Sequence, residues 1–437
     1  MPDGVQPASI LVQDESVHSV SPYDSAPAET PVRDFGDQYI LPGLIDAHIH
    51  INEPGRTHWE GFETATKAAA AGGFTCLVDM PLNCIPSTTS VDALEEKRAS
   101  ASGKALVDYR FWGGTVHGNA ADLKPLAQAG VAGFKAFMVH PGTEEFSMVE
   151  EADLRLAMPI IAECGLPLLV HAESPGPIAA APVVPGEWRA YQEYLASRPD
   201  ESEIKAIQLL IRLCAEYRCH VHIVHLSSAK ALEEIRGARA EGLPLTVETC
   251  PHYLYFAAEC IADGNTALRC APPIRAKANQ LELWQALRKR DIDLIATDHS
   301  PCPPELKKFD SGDFKQAWGG IASVSLALSA VWTKASEHGF AMSDVARWMA
   351  ERPAELAGIS SFKGKISGGY DADFAIFDHD EKWKPTADSL HFRHKVSPYV
   401  GEPLQGRVTA TFLRGQCVYN GDFPSQVRGR ECRVGGI

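Results

Sequence analysis

A chain of 437 residues, 45% hydrophobic and 22% charged, has an ordinary globular balance and is long enough for one large α/β barrel with an appended domain. Its formal net charge of -15 repels phosphate backbones and anionic lipid heads, which sets nucleic acid and membrane aside as partners and leaves a small molecule. The 11 cysteines are scattered with no C-x-x-C pair, the apolar run Ala8–Val12 is too short for a signal peptide, and no stretch reaches ~18 apolar residues, so a reducing cytoplasm is the expected location.

Taken from the N-terminus, residues 1–38 read as the first part of a small β domain, with ASILVQ as a strand ahead of an acidic loop. Residues 39–363 then alternate strand-like and helix-compatible segments. The apolar runs are YILPGLIDAHIH (39–50), FTCLVDM (74–80), LVDYRFWG (106–113), AGFKAFM (132–138), PLLVHAE (167–173), HVHIVHL (220–226), PLTVETC (244–250) and DIDLIATD (291–298). Helical segments are expected at 60–71, 91–102, 120–129, 149–164, 202–217, 229–240 and 278–288, and at 321–338 after the last strand. Near-continuous apolar strands alternating with helices imply a parallel sheet covered on both faces. Eight such units closing on themselves make a (β/α)8 barrel of TIM type, with a doubly wound open sheet as the structural competitor. Residues 364–437 return to short alternating runs, ADFAIFD and VTATFLRGQCVYNG, which read as the second part of a small antiparallel sandwich built from both termini. The Pro- and Gly-rich stretches 174–187 and 302–312 read as loops of a length that covers sites.

Barrel chemistry sits at the C-terminal ends of the strands. There the sequence places His48 and His50, Lys135, His171, His225 and Asp298. Singly, each has a bland reading: a structural H-x-H pair, a half-buried lysine, a hydrogen-bonded histidine, a helix-capping aspartate. Together, ionisable groups converging on apolar strand ends need a common partner, and divalent ions supply one. Imidazole and carboxylate suit zinc or its neighbours, and this many donors exceed one tetrahedral set. An ammonium cannot ligate a cation, so Lys135 belongs with them only when deprotonated and carbamylated by CO2, as an anionic bridge between ions ~3.5–4 Å apart.

The phrases LPGLIDAHIH, GFKAFM, HIVHLSS, VETCPHYL and TDHSPC resemble the cyclic amidohydrolases, a family of allantoinases, dihydroorotases and hydantoinases, over residues 35–419. The resemblance implies two divalent ions, zinc first with cobalt or manganese as alternatives. His48 and His50 would hold one ion and His171 and His225 the other, with carboxylated Lys135 (N6-carboxylysine) between them. Asp298 would complete the first ion's shell and carry the proton from an attacking water to the leaving ring nitrogen. Within the family the chain looks like the allantoinase branch. Asn52 stands where dihydroorotases carry an arginine for the substrate carboxylate, and DMPLN with Asn83, TDHSPCPPELK and AWGGIAS (317–323) are similar to that branch. This implies ring opening of allantoin to allantoate in purine catabolism. Asn52 and Asn83 are candidates for the urea arm, or else loop-capping asparagines. Main-chain groups of Cys270-Ala271-Pro272-Pro273 and of Gly319 or Gly320 are candidates for the ring. His252, Asp46 and Glu248 are candidate supporting groups around the ligands.

The competing readings are a dihydropyrimidinase/hydantoinase or dihydroorotase, a mononuclear deaminase on the same barrel, which would not need Lys135, and a non-catalytic scaffold relative. A homo-oligomer, dimer or tetramer, is the expected assembly. One departure stands out. The family's allantoinases open with a further strand and an Asn-Gly turn, so the terminal sandwich here is expected to lack a strand.

Overall fold

The computed structural model describes residues 4–27 and 29–433. Its strands in chain order are β1 (Ala8–Gln13), β2 (Ser16–Pro22), β3 (Tyr39–Pro42), β4 (Leu44–Ile49), β5 (Phe74–Asp79), β6 (Asp108–Phe111), β7 (Gly113–Gly114), β8 (Phe134–Phe137), β9 (Leu168–His171), β10 (Val221–Ile223), β11 (Leu245–Thr249), β12 (Leu294–Ile295), β13 (Phe374–Trp383), β14 (Leu404–Leu413) and β15 (Gln416–Tyr419). β4 to β12 are the barrel. β6 pairs in parallel with β5 and β7 with β8, so these two are halves of one strand parted at Trp112. The ring closes where Ile49 bridges His299 and the His50 N–H donates to the His299 carbonyl at 2.9 Å. The expected (β/α)8 barrel is therefore the observed architecture, and the open doubly wound sheet is excluded by that closure.

Sequence explains both faces of the barrel wall. Ile45, Val78, Trp112, Phe137, Leu169, Val224 and Ala296 come from seven strand segments yet pack into one cluster, which only the barrel axis allows. Outside, helices cover the other face. The helix Phe62–Ala71 (FETATKAAAA) has an alanine-rich buried face that lets it lie close on the sheet, while Glu63 and Lys67 pair at 2.8 Å on its exposed side. It ends at Gly72 and Gly73; the latter has φ +85, a conformation that favours glycine. The longest helix, Asp200–Tyr217, starts with Asp200, Glu201 and Glu203 at its positive end and stops at Arg218 in a left-handed cap.

β3, β13, β14 and β15 form an antiparallel sheet, over which the β1–β2 hairpin packs through Val17, Ile10 and Val20 against Phe374, Ile376 and Phe412. Three sequence expectations need correction here. Residues 39–42, read as the start of the first barrel strand, pair with β13 in the small sheet, so the barrel begins at 43. A continuous apolar run concealed the break at Gly43, where a Cβ would collide with Thr75 and lie 2.8 Å from the Cβ of Asp373. The stretch after ASILVQ, read as an acidic loop, is a second strand, β2. Asp14 and Glu15 are its hairpin turn, with φ of 48 and 72. The chain's last described segment also leaves the small sheet. Tyr109 N–H donates to the Arg430 carbonyl at 3.1 Å and Cys432 N–H to the Tyr109 carbonyl at 2.8 Å, which lays residues 429–432 along β6.

The two units are riveted at Lys363. Its buried ammonium lies 2.9 Å from Asp108 of β6, 2.8 Å from Asp371 and 2.6 Å from Asp373 beside β13. Burial opposes the charge, but Asp373 and Asp108 outweigh it and raise the lysine's pKa well above the ordinary value. Lys363, together with Arg414 on Asp108, offsets part of this trio's charge with cations of the chain itself. Among the described residues no helix is long and apolar enough to cross a membrane, and the 11 cysteines are free thiols.

Candidate metal centre

The six residues expected at the strand ends converge. His48 lies in β4 and His50 just beyond it, Lys135 in β8, His171 at the end of β9, His225 two residues past β10 and Asp298 three past β12. Register between β4 and β5 slips between Asp46 and Ile49, a bulge that re-aims the histidine pair. His48 Nε2 and His50 Nε2 then stand 3.3 Å and 3.2 Å from the same oxygen, Oδ1 of Asp298. Donor atoms of these three side chains all lie within 4.8 Å of one another, a spacing that one ion can span. The His171 and His225 rings meet edge-on at 4.6 Å, and His225 lies 5.4 Å from the His48 ring, so the two histidine pairs share one chamber. His225 and Asp298 have φ of 39 and 46, backbone strain of the kind that functional sites store.

Burial governs the charges. It is the largest influence on His48, His171 and His225, and it lowers the pKa of all three, which eases the loss of their protons in favour of an incoming cation. Burial alone would raise Asp298, but His48, His50 and His225 outweigh it and hold the carboxyl well below the usual range. Lys135 is fully buried, stacked at 4.9 Å over the Phe137 ring, and its Nζ has no hydrogen-bond partner. Burial pushes that amine down to about 8. A buried amine beside imidazoles and a carboxylate, with no acceptor of its own and its proton held less tightly than usual, is a costly feature for a purely structural lysine.

Each ligand candidate is oriented from behind. His48 Nδ1 lies 2.5 Å from Glu248 Oε1, and Glu248 Oε2 lies 3.0 Å from His222 Nε2. Burial works against the Glu248 charge, yet His48 and His222 bring it down to about 2. His171 Nε2 lies 2.7 Å from Glu173 Oε2, leaving Nδ1 for a ligand, and Arg198 donates to the same carboxylate oxygen. Burial is again overcome at Glu173, by Arg198 and His171, to about 2. Asp46 accepts from the backbone N–H of His48 at 3.2 Å and of Thr297 at 3.1 Å, lacing the barrel's closing seam; burial lifts it to about 7. Glu173, Arg198 and His222 had no part in the sequence reading. Glu173 could have been found as the second position of His171-x-Glu173 on one strand face, whereas Arg198 and His222 carry no local signal.

The substrate-contact candidates fare differently. Asn83 Nδ2 lies 3.4 Å from His50 Nδ1, while Asn52 Nδ2 donates to the Pro301 carbonyl at 3.4 Å, and each Oδ1 stays without a partner. The carbonyls of Cys270, Pro272 and Pro273 already accept from Tyr194 (2.6 Å), Tyr253 (2.8 Å) and Ser227 (2.6 Å). Gly320 N–H donates to the Arg269 carbonyl at 3.1 Å, and its own carbonyl accepts from the buried Lys307. Gly319 packs against Arg269, where a Cβ would lie 2.5 Å from Nη1. His252 is fully buried with both ring nitrogens unpartnered, and burial lowers it to about 4.

Comparison with known proteins follows the same line. The description "Amidohydrolase family" matches residues 39–418. An allantoinase of Streptomyces avermitilis is 47% identical over 431 residues, 98% of this chain and 95% of that protein. An allantoinase of Saccharomyces cerevisiae is 47% identical over 87% of this chain and 82% of its own length. Among solved structures, the L-hydantoinase (dihydropyrimidinase) from Arthrobacter aurescens superposes with a TM-score of 0.92 at 31% identity, covering 99% of this chain and 97% of that one.

Proposed function

The chain belongs to the amidohydrolase family, and on that premise we propose that it hydrolyses allantoin, opening the ring to allantoate. One observation carries the chemistry: His48, His50 and Asp298 present donor atoms within 4.8 Å of one another, beside a buried Lys135 amine that has no partner of its own. The substrate rests on the allantoinases that resemble this chain at 47% identity.

In this reading His48, His50 and Asp298 hold one divalent ion and His171 and His225 a second, with zinc the expected metal and cobalt or manganese the substitutes. The unprotonated form of the Lys135 amine would add to CO2, forming an N–C bond and releasing one proton, and would supply anionic oxygens to the ions. When bound, the ions supply an activated water and a Lewis acid for the ring carbonyl. The chain's own residues do the rest. Asp298, kept ionised, accepts the proton from the attacking water and returns it to the departing ring nitrogen, so the C–N bond breaks with no acyl-enzyme. Glu173 and Glu248 hold His171 and His48 in the tautomers that leave a lone pair facing inward. Asn52 and Asn83, each with a free amide oxygen, offer acceptors for the urea arm of a neutral substrate. The small-molecule partner and a homo-oligomeric assembly complete the proposal.

The test is a panel of allantoin, hydantoin, dihydrouracil and dihydroorotate run with zinc, cobalt and manganese. Allantoin should be preferred by at least about a hundredfold in kcat/KM. Preference for hydantoin or dihydrouracil would favour the rival reading that the similarity to L-hydantoinase raises.

A further inference from the structure

Glu248 has no exposed surface, and its two oxygens meet three partners. Oε1 sits 2.5 Å from His48 Nδ1 and also accepts the backbone N–H of His225 at 3.2 Å. Oε2 sits 3.0 Å from His222 Nε2, and His222 Nδ1 is itself anchored 2.8 Å from Thr246 Oγ1, two residues before Glu248 on β11. The carboxylate is therefore clamped from one side and reaches two histidines on the other. His48 belongs with His50 and Asp298. His225 stands against His171. With φ of 39, the His225 backbone is in a region that L-residues avoid, so an anionic acceptor on its N–H helps to hold that conformation and the aim of the ring.

We propose that Glu248 is a positioning residue for both ion sites at once: one oxygen keeps the proton of His48 on Nδ1, so that Nε2 is the ligating nitrogen, and the same oxygen pins the backbone that aims His225. This rests on the metal-centre reading above. A residue that touches neither ion then couples the two, and losing it weakens both. The shared oxygen lets neither histidine move without disturbing the other's bond.

The experiment titrates metal-free wild type and Glu248→Met with zinc in competition with a chromophoric chelator, in bicarbonate buffer, with circular dichroism as the check on folding. Methionine keeps the length and removes the acceptor. Both stepwise affinities should fall about ten- to a hundredfold. Native affinity at both sites, or a loss at one site only, overturns the proposal. Glu248→Gln, whose amide oxygen can accept both bonds, should recover most of the loss, an outcome that a purely space-filling role does not produce. If Glu248→Met does not fold, His222→Phe carries the test: releasing Oε2 should weaken both ions in the same direction by a smaller factor, and unchanged affinities overturn it. A wild type that binds fewer than two ions defeats the metal-centre reading itself, and this proposal with it.

Discussion

Replacing Lys135 with methionine should stabilise the bare protein and destabilise the loaded one relative to wild type. Burial lowers the Lys135 amine from 10.5 to about 8, which corresponds to about 3.4 kcal/mol against the charged form. The Phe137 ring at 4.9 Å returns about 1 kcal/mol of that through cation–π attraction. Methionine fills similar space with no polar atom, so metal-free, CO2-free protein at pH 7 should gain about 2 kcal/mol, or about 3 °C in Tm. The pH dependence follows from the sign of the shift. Below pH 8 the amine is protonated in both folded and unfolded chains and the penalty is fully present; it fades as pH rises from about 8 to 10.5, and so does the advantage of the variant. Zinc and bicarbonate should invert the order. Ligand at a thousandfold excess over Kd adds about 4 kcal/mol to wild type, which the variant without its bridge cannot match. Scanning calorimetry of both proteins, with chelator and then with zinc and bicarbonate, reads the crossing. A metal-free variant less stable than wild type at pH 7, or an equal gain from ions in both proteins, would refute the reasoning.

Other substitutions test separate links. Asp298→Asn should reduce ring opening at least about a hundredfold in a steady-state assay while the fold persists; native turnover would remove Asp298 as the proton carrier. Lys97, fully buried, lies 2.5 Å from Asp79 Oδ2, so Lys97→Met strands a carboxylate in the core and should lower denaturant stability by about 3–5 kcal/mol; a loss below about 1 kcal/mol contradicts the pairing. Glu173 and Glu248 are both depressed from 4.5 to about 2, so their contribution is complete above pH 4.5 and is lost as pH falls toward 2. Metal-free protein should weaken across that window, and Glu173→Gln should weaken less steeply; identical acid profiles would contradict the Glu173 contribution.

Most of the barrel and all six strand-end residues were legible in the sequence, because a parallel strand buried on both faces needs an unbroken apolar run and an ionisable group at its end interrupts that run visibly. Elements whose identity depends on distant partners were not. Tyr39–Pro42 looks like the start of a barrel strand until β13, more than three hundred residues later, claims it. Val17 and Val20 stand three apart, which breaks strand alternation, and only the register shift opposite Leu11 and Val12 puts both on one face. Around the centre, Glu248 reaches His48 across 200 positions, so neither residue carries a local trace of the other. Asn83 had a substrate role by resemblance, and only the fold puts its amide beside His50. Lys363 is one more case: a lysine in an unremarkable loop sequence becomes the rivet between barrel and small sheet because Asp108, Asp371 and Asp373 converge on it.

The most direct test is anomalous diffraction from crystals grown with zinc and bicarbonate. Two anomalous peaks are expected, one among His48, His50 and Asp298 and one between His171 and His225, about 3.5–4 Å apart, with continuous density running from Lys135 Nζ into a planar carboxylate between them. A plain amine at Lys135 with a single peak, or with none, would contradict the proposed chemistry at its root.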